Sequence, residues 1–115
     1  MNLIQKQKVF SIKLAELILR ARELGYEITM GEAWRPPETA ALYQAQGKGI
    51  SKSLHISRLA VDINLFFEGK LLSMTEQYKS LGTWWEGQST DLYECAWGGK
   101  FGDGNHFSIE HNGVR

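Results

Sequence analysis

The chain has 115 residues, 43% of them apolar and 23% charged, with a formal net charge of zero. That size suits one domain around one core, spanning residues 1–115, and the composition excludes a wholly disordered chain. Balanced charge removes the basic footprint of a general nucleic-acid binder, and a single cysteine, Cys95, excludes an intrachain disulfide framework.

Met1 to Phe10 carries Lys6 and Lys8 and no long apolar segment, and Lys13 and Glu16 interrupt the next stretch. Nothing approaches the roughly 20 apolar residues of a membrane helix. The expectation is a monomer made in the cytoplasm, without a signal peptide or stable membrane insertion. Phe10, Leu14, Leu17, Ile18, Ala21 and Leu24 fall on one helical face. With Ser11 as N-cap and Gly25 as stop, the spacing predicts a helix over 11–24. Tyr26 to Trp34 then alternates, which predicts a strand. Continuing the alternation puts Arg35 on the face of Thr29, Gly31 and Ala33. Pro36-Pro37 ends that strand, because proline lacks the ladder N–H, and it can open a helix over 38–46.

Gly47 to Lys52 reads as a flexible loop that leads into Ser53-Leu54-His55. From Ala60 to Phe66 the alternation returns. Val61, Ile63 and Leu65 point one way, while Ala60, Asp62 and Asn64 point the other. Phe67 to Lys70 reads as a turn and Leu71-Leu72 as a short returning strand. Residues 75–86 are predicted helical, with Tyr78, Leu81 and Trp85 on one side, and 87–90 form a loop. Cys95 reads as a small buried apolar residue. Trp97 to Gly104 is a glycine-rich approach to a last strand, His106 to His111, and the tail from Asn112 should be loosely held. The fold class is α+β, a small antiparallel sheet with flanking helices.

Three residues stand out as candidate metal ligands: His55, Asp62 and His106. A catalytic zinc takes three protein ligands and keeps a fourth position for water. Spacing alone leaves other readings open. His55 also reads as a surface loop histidine, His106 as a structural histidine, and Asp103-Gly104 as a turn whose aspartate bonds its own backbone. Asp62 is harder to set aside, since a carboxylate within a Val/Ile/Leu strand must be paired, metal-bound or on an open sheet face. His111 lies an odd number of residues from His106, so a regular strand turns it away from any metal. Glu110 shares the face of His106 and is a candidate to orient a ligand. Trp84, Trp85 and Trp97 divide between core packing and a cleft wall.

The combined pattern is Ser53-x-His55, Ala60-x-Asp62 and Asp103-x-x-His106. Upstream stand Trp34-Arg35-Pro36-Pro37-Glu38 and Ala41 to Gly47, and Trp97-Gly98-Gly99 precedes the last ligand. Over roughly residues 26–110 this resembles the M15 family of zinc metallopeptidases: D-Ala-D-Ala carboxypeptidases, dipeptidases and phage L-alanyl-D-glutamate endopeptidases. The resemblance implies a Zn2+ held by His55, Asp62 and His106, a general base and acid at Asp103, an electrophilic Arg35 and a supporting Ser53. It also implies the zinc peptidase fold shared with Hedgehog signalling domains. The implied substrate is the peptidoglycan stem peptide, cut as by a phage or prophage endolysin acting on the cell wall after release. The alternatives are a D-Ala-D-Ala carboxypeptidase and a non-catalytic zinc-binding module. Arg35 has its own alternative, an ion pair with Glu32 or Glu38. The chain departs from the family pattern at Pro36-Pro37, Thr39, Ser57-Arg58 and Ser108.

Overall fold

The computed structural model describes residues 1–48 and 53–115. Among the described residues the α-helices are α1 (Leu3–Glu23), α2 (Pro37–Ala45) and α3 (Lys79–Glu86), with 3₁₀ turns at Thr75–Tyr78 and Gly98–Phe101. The strands are β1 (Glu27–Met30), β2 (Ala60–Phe67), β3 (Lys70–Leu71), β4 (Cys95–Trp97) and β5 (His106–Ile109). They form one antiparallel sheet in the order β1-β2-β5-β4, with β3 also pairing with β2. The α+β expectation therefore holds at that level. None of the helices is long and apolar enough to cross a membrane.

β2 organises the sheet. Its alternation sends Val61, Ile63 and Leu65 into the core, fully buried, and leaves Asp62 and Asn64 partly exposed on the other face. Against the apolar face pack Phe10, Leu17 and Ala21 of α1 and Leu81 and Trp85 of α3. Trp85 sits edge-on to both Phe10 and Phe107, with ring centroids 6.1 and 6.0 Å away. Its indole N–H donates to the carbonyls of Ala96 and Ser108, so burying the ring strands no donor. Helices α1 and α3 thus cover one face, and the polar side chains of β2 keep the other.

Several boundaries differ from those read in the sequence, each for a local reason. α1 begins at Leu3, not at residue 11. Asn2 caps it: the Asn2 side chain accepts the Gln5 N–H, and the Gln5 side chain accepts the Asn2 N–H, each at 2.9 Å. Ser11 lies inside the helix and returns its hydroxyl to the Lys8 carbonyl. β1 stops at Met30, yet the chain stays on β2 through Gly31 N–H to the Asp62 carbonyl and Asp62 N–H to the Glu32 carbonyl, both 2.8 Å. A Cβ on Gly31 would lie 3.0 Å from the Asp62 Cβ and carbonyl oxygen, so this close approach favours glycine. β3 is Lys70–Leu71, one residue earlier than expected, because Glu68 and Gly69 both take positive φ in a two-residue hairpin loop.

β4 went unread in the sequence; three residues are too few to show a period. β5 ends at Ile109, and His111 pairs separately with Val114. The tail is not loose: His111 and Val114 exchange backbone hydrogen bonds, and Arg115 pairs with Glu94. Trp97 is packed over Gly82 and Gly99, where any Cβ would collide with its indole, and its N–H donates to the Gly104 carbonyl.

Candidate metal centre

The β2–β5 register sets Asp62 directly opposite His106. Opposed residues of an antiparallel pair share a face, so the carboxylate and imidazole meet on the side away from α1 and α3. His55 comes from the turn Leu54–Arg58 that feeds β2. That turn is built from Ile56, Ser57 and Leu59 N–H bonds to the carbonyls of Ser53 and Leu54, and Arg58 takes a left-handed φ of 56° to close it. Ser53 Oγ accepts the His55 N–H at 3.2 Å, a supporting contact. The result buries His55 to 3% exposure, which disposes of a surface loop histidine.

His55 Nε2 lies 3.3 Å and His106 Nδ1 3.5 Å from the same Asp62 Oδ1. One ligand atom from each residue falls within 4.8 Å of the others. Zinc–nitrogen and zinc–oxygen bonds of about 2.0–2.1 Å put neighbouring ligands of a tetrahedron about 3.3–3.4 Å apart. The two distances to Asp62 Oδ1 match that edge. Asp62 Oδ1, the atom on which both imidazoles converge, is buried without a hydrogen-bond partner. Buried polar atoms are rarely left so, and a donor set of two imidazoles and a carboxylate suits a divalent cation. Burial pushes the Asp62 carboxyl up, but the two facing imidazoles outweigh it and hold it at about 2. Asp62 is therefore a carboxylate at any ordinary pH.

Asp103 stands outside this trio, exposed on the turn that enters β5. Its N–H bonds the Gly98 carbonyl, and its carbonyl accepts the His106 N–H at 3.1 Å. A Cβ at Gly98 would collide with the Asp103 carbonyl, so the glycine lets this turn close onto β5. Partial desolvation raises the Asp103 carboxyl above its ordinary value even on this exposed turn, and the Asp62 charge adds to this. His106, His55 and Arg35 oppose the rise, so Asp103 shares one electrostatic neighbourhood with all of them. A cleft of about 250 Å³ is lined by Asp103, Asn105, Asn64, Thr75 and Tyr78 among others, and the three ligand candidates are not in its lining.

Arg35 forms the ion pair expected as its alternative role, and the partner is Glu32. Its Nε donates to Glu32 Oε1 at 2.7 Å, and Nη2 contacts the same oxygen. The guanidinium also lies over the Tyr43 ring, 5.1 Å from its centroid. Glu32 itself was missed as a site residue. Its Oε1 is 3.7 Å from His55 Nδ1. In the sequence it reads as one of two carboxylates that could pair with Arg35, and nothing there points it at His55.

The remaining candidates fall elsewhere. His111 faces α1, with Lys6 Nζ 3.3 Å from its Nδ1. Glu110 orients no ligand: it accepts the Gly113 N–H at 2.7 Å and lies 3.9 Å from Lys6 Nζ. β5 has already ended there, so the alternation from His106 does not carry through. Of the loop over 47–52, residues 49–52 lie outside the described residues. Searches against family models and curated proteins found no match to this chain.

Proposed function

We propose that this chain is a zinc-dependent peptidase of the M15 and Hedgehog-like fold that cuts peptidoglycan stem peptides. The favoured type is the L-alanyl-D-glutamate endopeptidase of a phage or prophage endolysin. The observation that carries the reading is the convergence of His55 Nε2, Asp62 Oδ1 and His106 Nδ1 at ligand spacing, with Asp103 beside them. The resemblance of the surrounding motifs supplies the substrate class.

In this reading His55, Asp62 and His106 hold the ion. Zinc in such a site is a Lewis acid that lowers the pKa of bound water from 15.7 toward about 7 and polarises a carbonyl. The other steps belong to the protein. Asp103 accepts a proton from the attacking water and returns it to the leaving amine. A carboxyl raised above its ordinary value holds a proton more readily than a free aspartate, which suits it to taking the proton and passing it on. The amides of Asn64 and Asn105, which line a cleft together with Asp103, offer donors and acceptors to the peptide main chain. Arg35 supplies positive charge near the developing oxyanion, provided the guanidinium is shared with substrate as well as with Glu32.

The Glu32–Arg35 pair also favours a second reading. A guanidinium already neutralised by a carboxylate is less available for catalysis, as expected of a non-catalytic zinc-binding module. Two measurements separate the readings. Metal analysis of the purified chain should give about one zinc per chain, lost in His55→Ala or His106→Ala. Mass spectrometry of digested sacculi should then show new N-terminal D-glutamate. Released D-alanine instead identifies a carboxypeptidase, intact sacculi with bound zinc identify the non-catalytic module, and a chain that binds no zinc defeats the proposal.

A further inference from the structure

The segment that carries Glu32 is stitched to two of the three ligands. The Glu32 carbonyl accepts the Asp62 N–H at 2.8 Å, and the preceding Gly31 donates to the Asp62 carbonyl at 2.8 Å. Three residues on, the Arg35 N–H donates to the His55 carbonyl at 3.2 Å. The segment 31–35 thus bridges the His55 turn and β2, and the Glu32 carboxylate lies between them. On one side Arg35 holds that carboxylate through Nε. On the other its Oε1 is 3.7 Å from His55 Nδ1, a buried nitrogen with no hydrogen-bond partner.

A histidine that binds metal through one ring nitrogen usually donates the N–H of the other to a carboxylate, carbonyl or water, which fixes the ring and strengthens the ligand. His55 turns Nε2 toward Asp62, so Nδ1 is the nitrogen that needs such an acceptor. Glu32 Oε1 is the carboxylate oxygen facing it. The gap is longer than a hydrogen bond, and contacts of this kind are often long until a site is loaded.

We propose that Glu32 is the positioning residue of the metal centre: it accepts the His55 Nδ1–H, holds the ring with Nε2 toward the ion, and is itself held in place by Arg35. This rests on the metal-centre reading above. It changes what Arg35 is for, since the guanidinium then serves the metal site through Glu32 whether or not it also meets substrate.

The test is zinc affinity by chelator competition on the whole chain, with the melting temperature of each metal-free variant measured alongside. Glu32→Ala should weaken zinc binding about 10–100-fold. Glu32→Gln keeps an oxygen in place without the charge, and its affinity should fall between those of Glu32→Ala and the wild type. It also decides the matter if Glu32→Ala lowers the metal-free melting temperature. NMR of the zinc-loaded protein adds a readout that lost packing would not move. The His55 Nδ1–H should be slowly exchanging in the wild type and exchange rapidly in Glu32→Ala. Zinc affinity within twofold of wild type in both variants overturns the proposal, as does a weakened affinity with the Nδ1–H still protected. Wild-type protein that binds no zinc overturns the metal-centre reading and this one together; bound zinc with indifferent variants overturns this one alone.

Discussion

At the scale of single residues, the site separates binding from proton transfer. The trio converges on one Asp62 oxygen, whereas Asp103 hangs from a turn beside it. Asp103→Ala should therefore keep its zinc and lose activity by roughly 10²–10⁴-fold, the usual weight of a general acid–base group. Metal analysis and sacculus digestion on the same preparation check both halves, and a fully active variant removes Asp103 from the mechanism. Asp62 makes a different prediction, for the metal-free protein in acid. Its folded pKa of about 2 lies below the ordinary 3.8. The ionised carboxylate thus stabilises the fold above pH 3.8, and that contribution is lost as pH falls through about 2. Acid titrations of the wild type and Asp62→Asn, followed by circular dichroism, should differ above this window and converge below it. Curves that keep a constant separation to the lowest pH would show that the two imidazoles do not hold the charge.

At the scale of elements, β2 was legible because its residues from Val61 to Phe66 alternate, and one face needed a reason for a carboxylate. The register that pairs Asp62 with His106 was not legible, because pairing is a non-local choice that alternation alone does not specify. β4 escaped for lack of length, and the start of α1 escaped because its signal was a capping box of Asn2 and Gln5 rather than an apolar stripe. Gly82 lies inside α3, where a glycine ordinarily weakens a helix. In the structure it is the contact point of α3 with β4, where Trp97 leaves no room for a Cβ. Gly82→Ala improves helix propensity by about 1 kcal/mol yet forces the indole to move, and overpacking of this kind costs about 1–3 kcal/mol. Chemical denaturation should show a net loss of stability. A gain would mean that Trp97 can shift freely, and with it the glycine-rich turn that carries Asp103.

At the scale of the whole molecule, the sheet divides labour between its faces. Helices α1 and α3 and the apolar residues of β2 form the core on one side, and the three ligands gather on the other. Two of those ligands, Asp62 and His106, are brought together by the sheet itself, which the core stabilises without any metal. Only His55 depends on a separate turn, and that turn has its own backbone hydrogen bonds. A structural zinc finger behaves otherwise, because its ligands are organised by the ion and the apo chain is unfolded. The metal-free protein should therefore remain folded at room temperature, with zinc adding stability by mass action. At free zinc one hundredfold above its dissociation constant the gain is about 2.7 kcal/mol, enough to raise the melting temperature by several degrees in a chain of this size. Calorimetry with and without chelator measures it, and the increment should vanish in His106→Ala while that variant melts near the metal-free wild type. Chelator that unfolds the chain outright would mean that the ion, and not the register of β2 and β5, brings Asp62 to His106.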